Sequence, residues 1–207
     1  MTADPRRAAI VLAGGRATRL GGVDKAEVEV DGRMLIDGVL QAVAACEPIV
    51  LVGPDHLTRP GVRVVRERPA FGGPVAALEA ALHDLSDAVA ETWVLACDLP
   101  RAGGIVDALS EHSMTDDVDA LMLRDSGGRA QPLAGRYRVA ALRAAIGALP
   151  TAEGAAMRRI TGALRVQEID DERGASMDLD TWEDVSAYRA EQSEGRRDRR
   201  VRRRETA

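Results

Sequence analysis

The residues of this chain best suited to chemistry stand together in Leu12-Ala-Gly-Gly-Arg-Ala-Thr-Arg-Leu-Gly-Gly-Val-Asp-Lys25. Gly14 and Gly15 lack side chains, so backbone N–H groups can approach phosphate oxygens, and Arg16, Arg19 and Lys25 add positive charge. This is the make-up of an anion cradle. Two familiar phosphate binders do not fit it: Lys25 is followed by Ala26, which breaks Gly-x-x-x-x-Gly-Lys-Ser/Thr, and the glycines are paired, which breaks Gly-x-Gly-x-x-Gly. A kinase or dehydrogenase reading loses its support. Lys25 is also the only lysine beside 27 arginines. Where arginine serves at every other basic position, the surviving ammonium points to a site where a compact point charge fits and a planar guanidinium does not.

The elements that must position this cradle follow from hydrophobic patterning. Ala8–Ala13 is a continuous apolar run ending at the glycine pair, and it reads as a buried strand; Pro48–Gly53, Val62–Val65, Trp93–Cys97 and Val118–Leu123 read the same way. Helical spacing appears in Leu35, Ile36, Val39, Leu40 and Val43, then in Val75, Leu78, Ala81, Leu82 and Leu85, and again through Ile105, Leu109, Leu142 and Ile146. Strands that alternate with helices and carry no polar face belong to a parallel sheet covered on both sides. The expected fold is therefore α/β, a doubly wound, mostly parallel sheet with helices on both faces. Ligands of such sheets bind beyond the carboxyl ends of the strands, which is where the cradle and Asp98, directly after Trp93–Cys97, both fall. Glu27–Gly32 alternates with period two and ends in an Asp-Gly turn, the mark of an exposed hairpin arm. A last helix is expected from Thr181 to about Gln192, with Asp180 or Thr181 as its N-cap.

Composition narrows the function classes. The 207 residues, 45% hydrophobic and 29% charged, suit one folded domain, and no apolar run reaches the roughly 18 residues of a membrane span. The opening segment leads into an apolar stretch too short for a signal peptide, so a cytoplasmic protein without membrane contact is expected. Seven Arg against four acids give the last 17 residues a net +3, leaving −8 on the other 190 of the total of −5. An acidic body with five aromatic residues has neither the basic face nor the stacking platforms of a nucleic-acid binder. The chain divides on these grounds into a domain of residues 1–190 and a basic, disordered tail of residues 191–207. Cys46 and Cys97 sit in apolar contexts as buried thiols, and His56, His83 and His112 show no metal spacing. Ser and Thr show no nucleophile motif, which removes a covalent hydrolase.

Leu12-Ala-Gly-Gly-(x)3-Arg-Leu-Gly-(x)3-Lys25 resembles the signature loop of nucleotidyltransferases with a nucleotide-diphospho-sugar transferase-like fold, and within them the molybdenum cofactor guanylyltransferase (MobA) family. Relatives acting on sugar phosphates or cytidylyl acceptors usually carry Ala-Ala-Gly or Pro-Ala instead. Gly72-Gly-Pro-Val-Ala-Ala77, after Arg66-Glu-Arg-Pro69, resembles the family's Gly-Pro-Leu-Ala-Gly segment, and Cys97-Asp98-Leu-Pro100 its Cys-Asp-x-Pro. Gln131-Pro-Leu-Ala-Gly-Arg-Tyr137 resembles its Gln-Pro-Leu-x-x-x-Tyr strand. Met177-Asp-Leu-Asp-Thr-Trp-Glu-Asp184 resembles its Asn-x-Asn-Thr-Pro-Glu-Asp/Glu, with Asp in place of both Asn. The resemblance covers residues 8–190.

The resemblance implies nucleotide binding by Leu12, Ala13, Gly14, Gly15, Lys25, Glu67, Gly73 and Asp98, with Glu67 near the guanine ring, and acceptor binding by Gln131. Mg²⁺ would sit on Asp98 with Asp178 and Asp180, and Arg19 and Lys25 would offset charge developing on the transferred phosphoryl group. The implied reaction moves GMP from GTP onto the terminal phosphate of a molybdopterin carrying molybdenum, with transient contact to other proteins of cofactor biosynthesis or to molybdoenzymes. No general base is required, because a phosphate monoester is already ionised near neutral pH. The residues by themselves specify nucleotidyl transfer. A cytidylyl or other transfer to a different pterin or sugar phosphate, and a non-catalytic nucleotide-binding accessory protein, are the competing readings.

Overall fold

A computed structural model of the protein describes residues 7–14, 24–30 and 32–205, with side chains as far as residue 194. Among the described residues the first long apolar run forms β1 (Arg7–Leu12), flanked on one side by the parallel strands β4 (Ile49–Val52) and β5 (Val62–Val65) and on the other by the parallel β6 (Glu91–Ala96). The sheet continues through β8 (Ala130–Arg138), β7 (Ala120–Arg124) and β9 (Val166–Asp170), giving the order β5-β4-β1-β6-β8-β7-β9. Side chains of β1 alternate between two cores. Ala8, Ile10 and Leu12 meet α2 (Pro74–Asp84), α4 (Val139–Gly147) and α5 (Met157–Thr161), while Ala9 and Val11 meet α1 (Leu35–Ala42) and α3 (Ala102–Ser110). Both faces of the sheet are therefore covered, as a doubly wound fold requires. Ile10 is fully buried, and truncating such a side chain to Ala costs about 2–5 kcal/mol.

Three features depart from the patterning. The strand that begins at Gln131 does not join the parallel set: β8 lies between β6 and β7 and runs antiparallel to both. Pro132 is tolerated there because the β7 register jumps from Met122↔Gly135 to Leu123↔Gln131, so the proline sits in a bulge where no ladder N–H is needed. The edge strand β9 escapes notice because Val166-Gln-Glu-Ile-Asp170 has a weak, half-exposed pattern. Finally, α6 (Trp182–Glu205) does not stop near Gln192. Its basic stretch is rich in Arg, a good helix former, and local propensity suffices to prolong the helix. The expected boundary between residues 190 and 191 thus falls inside α6, and Glu191 just beyond it is held by Arg101.

A small hairpin, β2 (Glu29–Val30) with β3 (Arg33–Met34), turns at Gly32, whose φ of +77° needs a glycine. Val28, Val30 and Leu35 pack there against Leu179, Val185 and Tyr188, so this third core fastens the start of α6 to the main domain. No helix among the described residues is long and apolar enough to cross a membrane.

Candidate active site

Parallel pairing gathers the candidate residues at one end of the sheet. Leu12 pairs with Val52 and with Ala96, and Cys97 N–H donates to the Leu12 carbonyl at 3.0 Å, so the chain leaves β1 toward Gly14 beside the point where it leaves β6 toward Asp98. Glu67 follows the end of β5. Ala13 N–H is committed to the Val52 carbonyl at 2.8 Å, and the Ala13 side chain is buried. Leu12 and Ala13 therefore form the floor of the cradle, and donors to a phosphate begin at Gly14. Gly15, Arg16 and Arg19 lie outside the described residues.

Lys25 opens a 3-10 turn, Lys25–Glu27, for which the Asp24 carboxylate is the N-cap, accepting from Ala26 N–H at 3.0 Å. From this turn the Lys25 Nζ reaches Asp98 Oδ2 at 3.0 Å and Asp180 Oδ1 in a second, short contact. The segment bearing Asp178 and Asp180 is laid against the end of β6 by Leu179 N–H, which donates to the Asp98 carbonyl at 3.1 Å. Because Leu179 is buried and points inward, its neighbours Asp178 and Asp180 both face the site. Oxygen atoms of Asp98, Asp178 and Asp180 lie within 4.8 Å of one another. Partial burial opposes the charge on Lys25, yet hydrogen bonds and attraction from Asp180 and Asp98 outweigh it and raise its pKa above the ordinary lysine value. Asp178 is pushed upward as well, which in a carboxyl disfavours the charge, by desolvation and then by repulsion from Asp98 and Asp180.

This donor set fits a hard divalent cation. Three carboxylates converge around one ammonium, and oxygen ligands within 4.8 Å of one another suit an ion that prefers oxygen. The neighbouring loops supply rigidity. Asp171 accepts from Ala175 N–H at 2.8 Å and from Ser176 N–H and Oγ–H at 2.7 Å, fixing the turn that leads into Asp178. Arg101, three residues after Asp98, donates to the carbonyls of Arg173 and Gly174, pairs with Glu191 and lies 5.3 Å from the Tyr188 ring centroid. It straps the Asp178 segment and α6 to the end of β6.

A second corner surrounds Glu67, which is only 7% exposed. A Cβ on Gly14 would stand 3.6 Å from Glu67 Oε1, which shows how closely the cradle backbone approaches this carboxylate. Gly73, at φ +91°, is the N-cap of α2 with Pro74 behind it, and a Cβ on Gly72 would lie 3.0 Å from the Pro69 carbonyl. Glycine is required at both positions, at Gly73 by backbone conformation and at Gly72 by close approach. Gln131 is at the same end of the sheet, but its amide donates to Asp125 at 2.7 Å within the adjoining turn. Sequence patterning missed Arg101, whose one signal is its place directly after Asp98-Leu-Pro100. It also missed His56, which the fold brings to 3.5 Å from Asp24 and 3.8 Å from Glu27 although nothing in their spacing predicts it.

A family model for the MobA-like NTP transferase domain matches residues 9–169. A molybdenum cofactor guanylyltransferase of Bradyrhizobium sp. (strain ORS 278) is 36% identical over 141 residues, covering 63% of this chain and 65% of that protein. A probable molybdenum cofactor guanylyltransferase of Nostoc sp. is 34% identical over 143 residues, covering 63% of this chain and 65% of that protein. The match thus spans slightly under two thirds of the length of these curated relatives. Among solved structures, a molybdopterin-guanine dinucleotide biosynthesis protein A from Archaeoglobus fulgidus superposes with a TM-score of 0.68 at 22% identity, over 90% of this chain and 99% of that one. At that identity the likeness establishes the fold.

Proposed function

Because the chain belongs to the MobA-like NTP transferase domain family, we propose that it transfers GMP from GTP to the terminal phosphate of molybdenum-molybdopterin and releases pyrophosphate. The observation that carries this reading is the Lys25 ammonium seated between Asp98 and Asp180, beside Asp178, at the carboxyl ends of β1 and β6. Asp98, Asp178 and Asp180 would hold Mg²⁺, whose chemistry there is to offset the charge of the triphosphate. Lys25 is fixed by two carboxylates, so its ammonium needs no reorganisation to face phosphate oxygens, and Arg19 and the backbone donors of Gly14 and Gly15 complete the cradle. Glu67 and Gly73 would meet the base, and Gln131 the acceptor. Since the acceptor phosphate is already ionised, these residues act by orienting it in line with the α-phosphorus and by neutralising charge.

The catalytic domain in this reading is residues 1–190, with the basic end of α6 as an appendage, and the protein works in the cytoplasm without nucleic acid or membrane. Transient delivery contacts with other molybdenum cofactor or molybdoenzyme proteins accompany it. The test supplies the protein with Mg²⁺, molybdenum-molybdopterin and one nucleoside triphosphate at a time. Pyrophosphate together with the guanine dinucleotide, identified by mass, is expected with GTP alone. The cytidine dinucleotide as main product would overturn the guanylyl reading, and binding without pyrophosphate from any nucleotide would overturn the transferase reading.

A further inference from the structure

The three carboxylates of the candidate cation site come from two separate parts of the chain. Asp98 follows the end of β6, whereas Asp178 and Asp180 come after β9. Two strands, β8 and β7, stand between β6 and β9, so the ends of β6 and β9 lie three strand spacings apart, roughly 14 Å at about 4.8 Å each. β6 and β7 are both antiparallel to β8, and β9 is parallel to β7, which brings the carboxyl ends of β6 and β9 to the same side of the sheet. The segment from Asp171 to Asp180 must cross that distance to meet Asp98, and it belongs to no strand that would fix its register.

Arg101 holds this crossing. Its Nη1 donates to the carbonyls of Arg173 at 3.2 Å and Gly174 at 3.3 Å, and its Nη2 donates to both carboxylate oxygens of Glu191 on α6 at 2.6 Å. The backbone of Arg101 is anchored in turn as the N-cap of α3, its carbonyl accepting the Gly104 N–H at 2.8 Å. Gly104 meets the same segment, because a Cβ there would stand 3.2 Å from the Ala175 Cβ, and Ala175 is buried. One guanidinium thus spans the crossing segment and the helix that leaves it, from a position three residues after Asp98. A planar fork does this with separate nitrogens, whereas a lysine has only one.

We infer that Arg101 is a positioning residue for the cation site. By clamping the crossing segment and α6 to the loop that carries Asp98, it fixes where Asp178 and Asp180 stand relative to Asp98, and so how tightly the three carboxylates take a divalent cation. The role rests on the cation-binding reading of those carboxylates. Arg101 acts through the backbone of the segment, and the carboxylates do the binding.

Titration of Mn²⁺ into the full chain without nucleotide tests this, with the free ion followed by its electron paramagnetic resonance signal. Arg101→Ala should weaken Mn²⁺ binding at least about tenfold, the loss expected when a partner that orients metal ligands is removed. Arg101→Lys keeps the charge without the fork and should recover only part, staying at least about threefold weaker than wild type; it carries the test alone if Arg101→Ala does not fold. Glu91 begins β6, at the opposite end from Asp98. Glu91→Gln therefore serves as a variant that loses stability away from the segment, and it should bind Mn²⁺ within about twofold of wild type. Wild-type Mn²⁺ affinity in the Arg101 variants, or an equal loss in Glu91→Gln, would overturn the positioning role and leave the cation site standing. A wild type that takes up no Mn²⁺ would overturn both.

Discussion

The two ends of the central strands carry ionic clusters of different make-up, roughly 20 Å apart at about 3.3 Å per residue. At the carboxyl ends three carboxylates share one ammonium, and the cluster is open to solvent. At the amino ends one carboxylate, Glu91, is shared by two guanidiniums: Arg7 at 3.1 Å and Arg136 at 3.6 Å, with Arg136 lying 5.7 Å from the Trp93 ring centroid. Here Glu91 and Arg136 are closed in, with Arg7 at the rim. Arg136 is 2% exposed, it donates to the His112 carbonyl at 2.7 Å, and its Nε is buried without a hydrogen-bond partner. Burial lowers its pKa against the pull of Glu91. The contrast separates a device for holding the fold from one for holding a ligand. Arg136 is buried among fixed partners with nothing to exchange, whereas the open carboxylate cluster leaves oxygen atoms that an arriving cation can reach.

Substitutions at the two ends should therefore fail in different ways. Asp98→Asn should reduce pyrophosphate release about a thousandfold, some 4 kcal/mol of barrier, with the melting temperature within about 2 °C of wild type, because a single metal contact supplies several kcal/mol of transition-state stabilisation. Activity within about threefold of wild type would remove Asp98 from the metal. At the other end Glu91→Gln should cost about 3 kcal/mol of stability by leaving Arg136 without its counter-charge, lowering the melting temperature by roughly 6–12 °C. Its turnover per folded molecule should stay near wild type; a large loss of turnover would show that the two ends are coupled.

Smaller effects sharpen the same contrast. Lys25→Arg keeps the charge but replaces a point contact with a planar fork between Asp98 and Asp180, and turnover should fall at least about tenfold, about 1.4 kcal/mol. Wild-type turnover would mean that charge alone suffices. Asp178→Asn should raise the melting temperature in the presence of a chelator by about 2–4 °C, as expected for about 1 kcal/mol of relieved carboxylate repulsion. A fall instead would show that Asp178 stabilises the fold without metal.

Much of this arrangement is legible in the amino-acid sequence, and the reason is local chemistry. The glycine pair after Ala8–Ala13, the lone Lys25 and Asp98 at a strand end each have a cause readable within a few residues. So does the two-faced burial of β1, because parallel strands covered on both sides leave no polar face. What escaped depends on contacts distant in sequence. The antiparallel insertion of β8 depends on a bulge opposite Met122 and Leu123, and Arg101 acts on residues about 70 to 90 positions away. The helical continuation past Gln192 has a different cause: a charge run predicts a tail without a packing core, and that is no obstacle to forming a helix.

The most direct test of the central claim is a melting-temperature panel of GTP, CTP, UTP and ATP, each with Mg²⁺ and with chelator, on the wild type and on Asp98→Asn. A ligand that binds only the folded state raises the melting temperature according to its affinity. The account predicts that GTP with Mg²⁺ gives the largest rise in the wild type, and that Asp98→Asn loses the Mg²⁺-dependent part of that rise. A larger rise with CTP, or an Mg²⁺-dependent rise undiminished in Asp98→Asn, would contradict it.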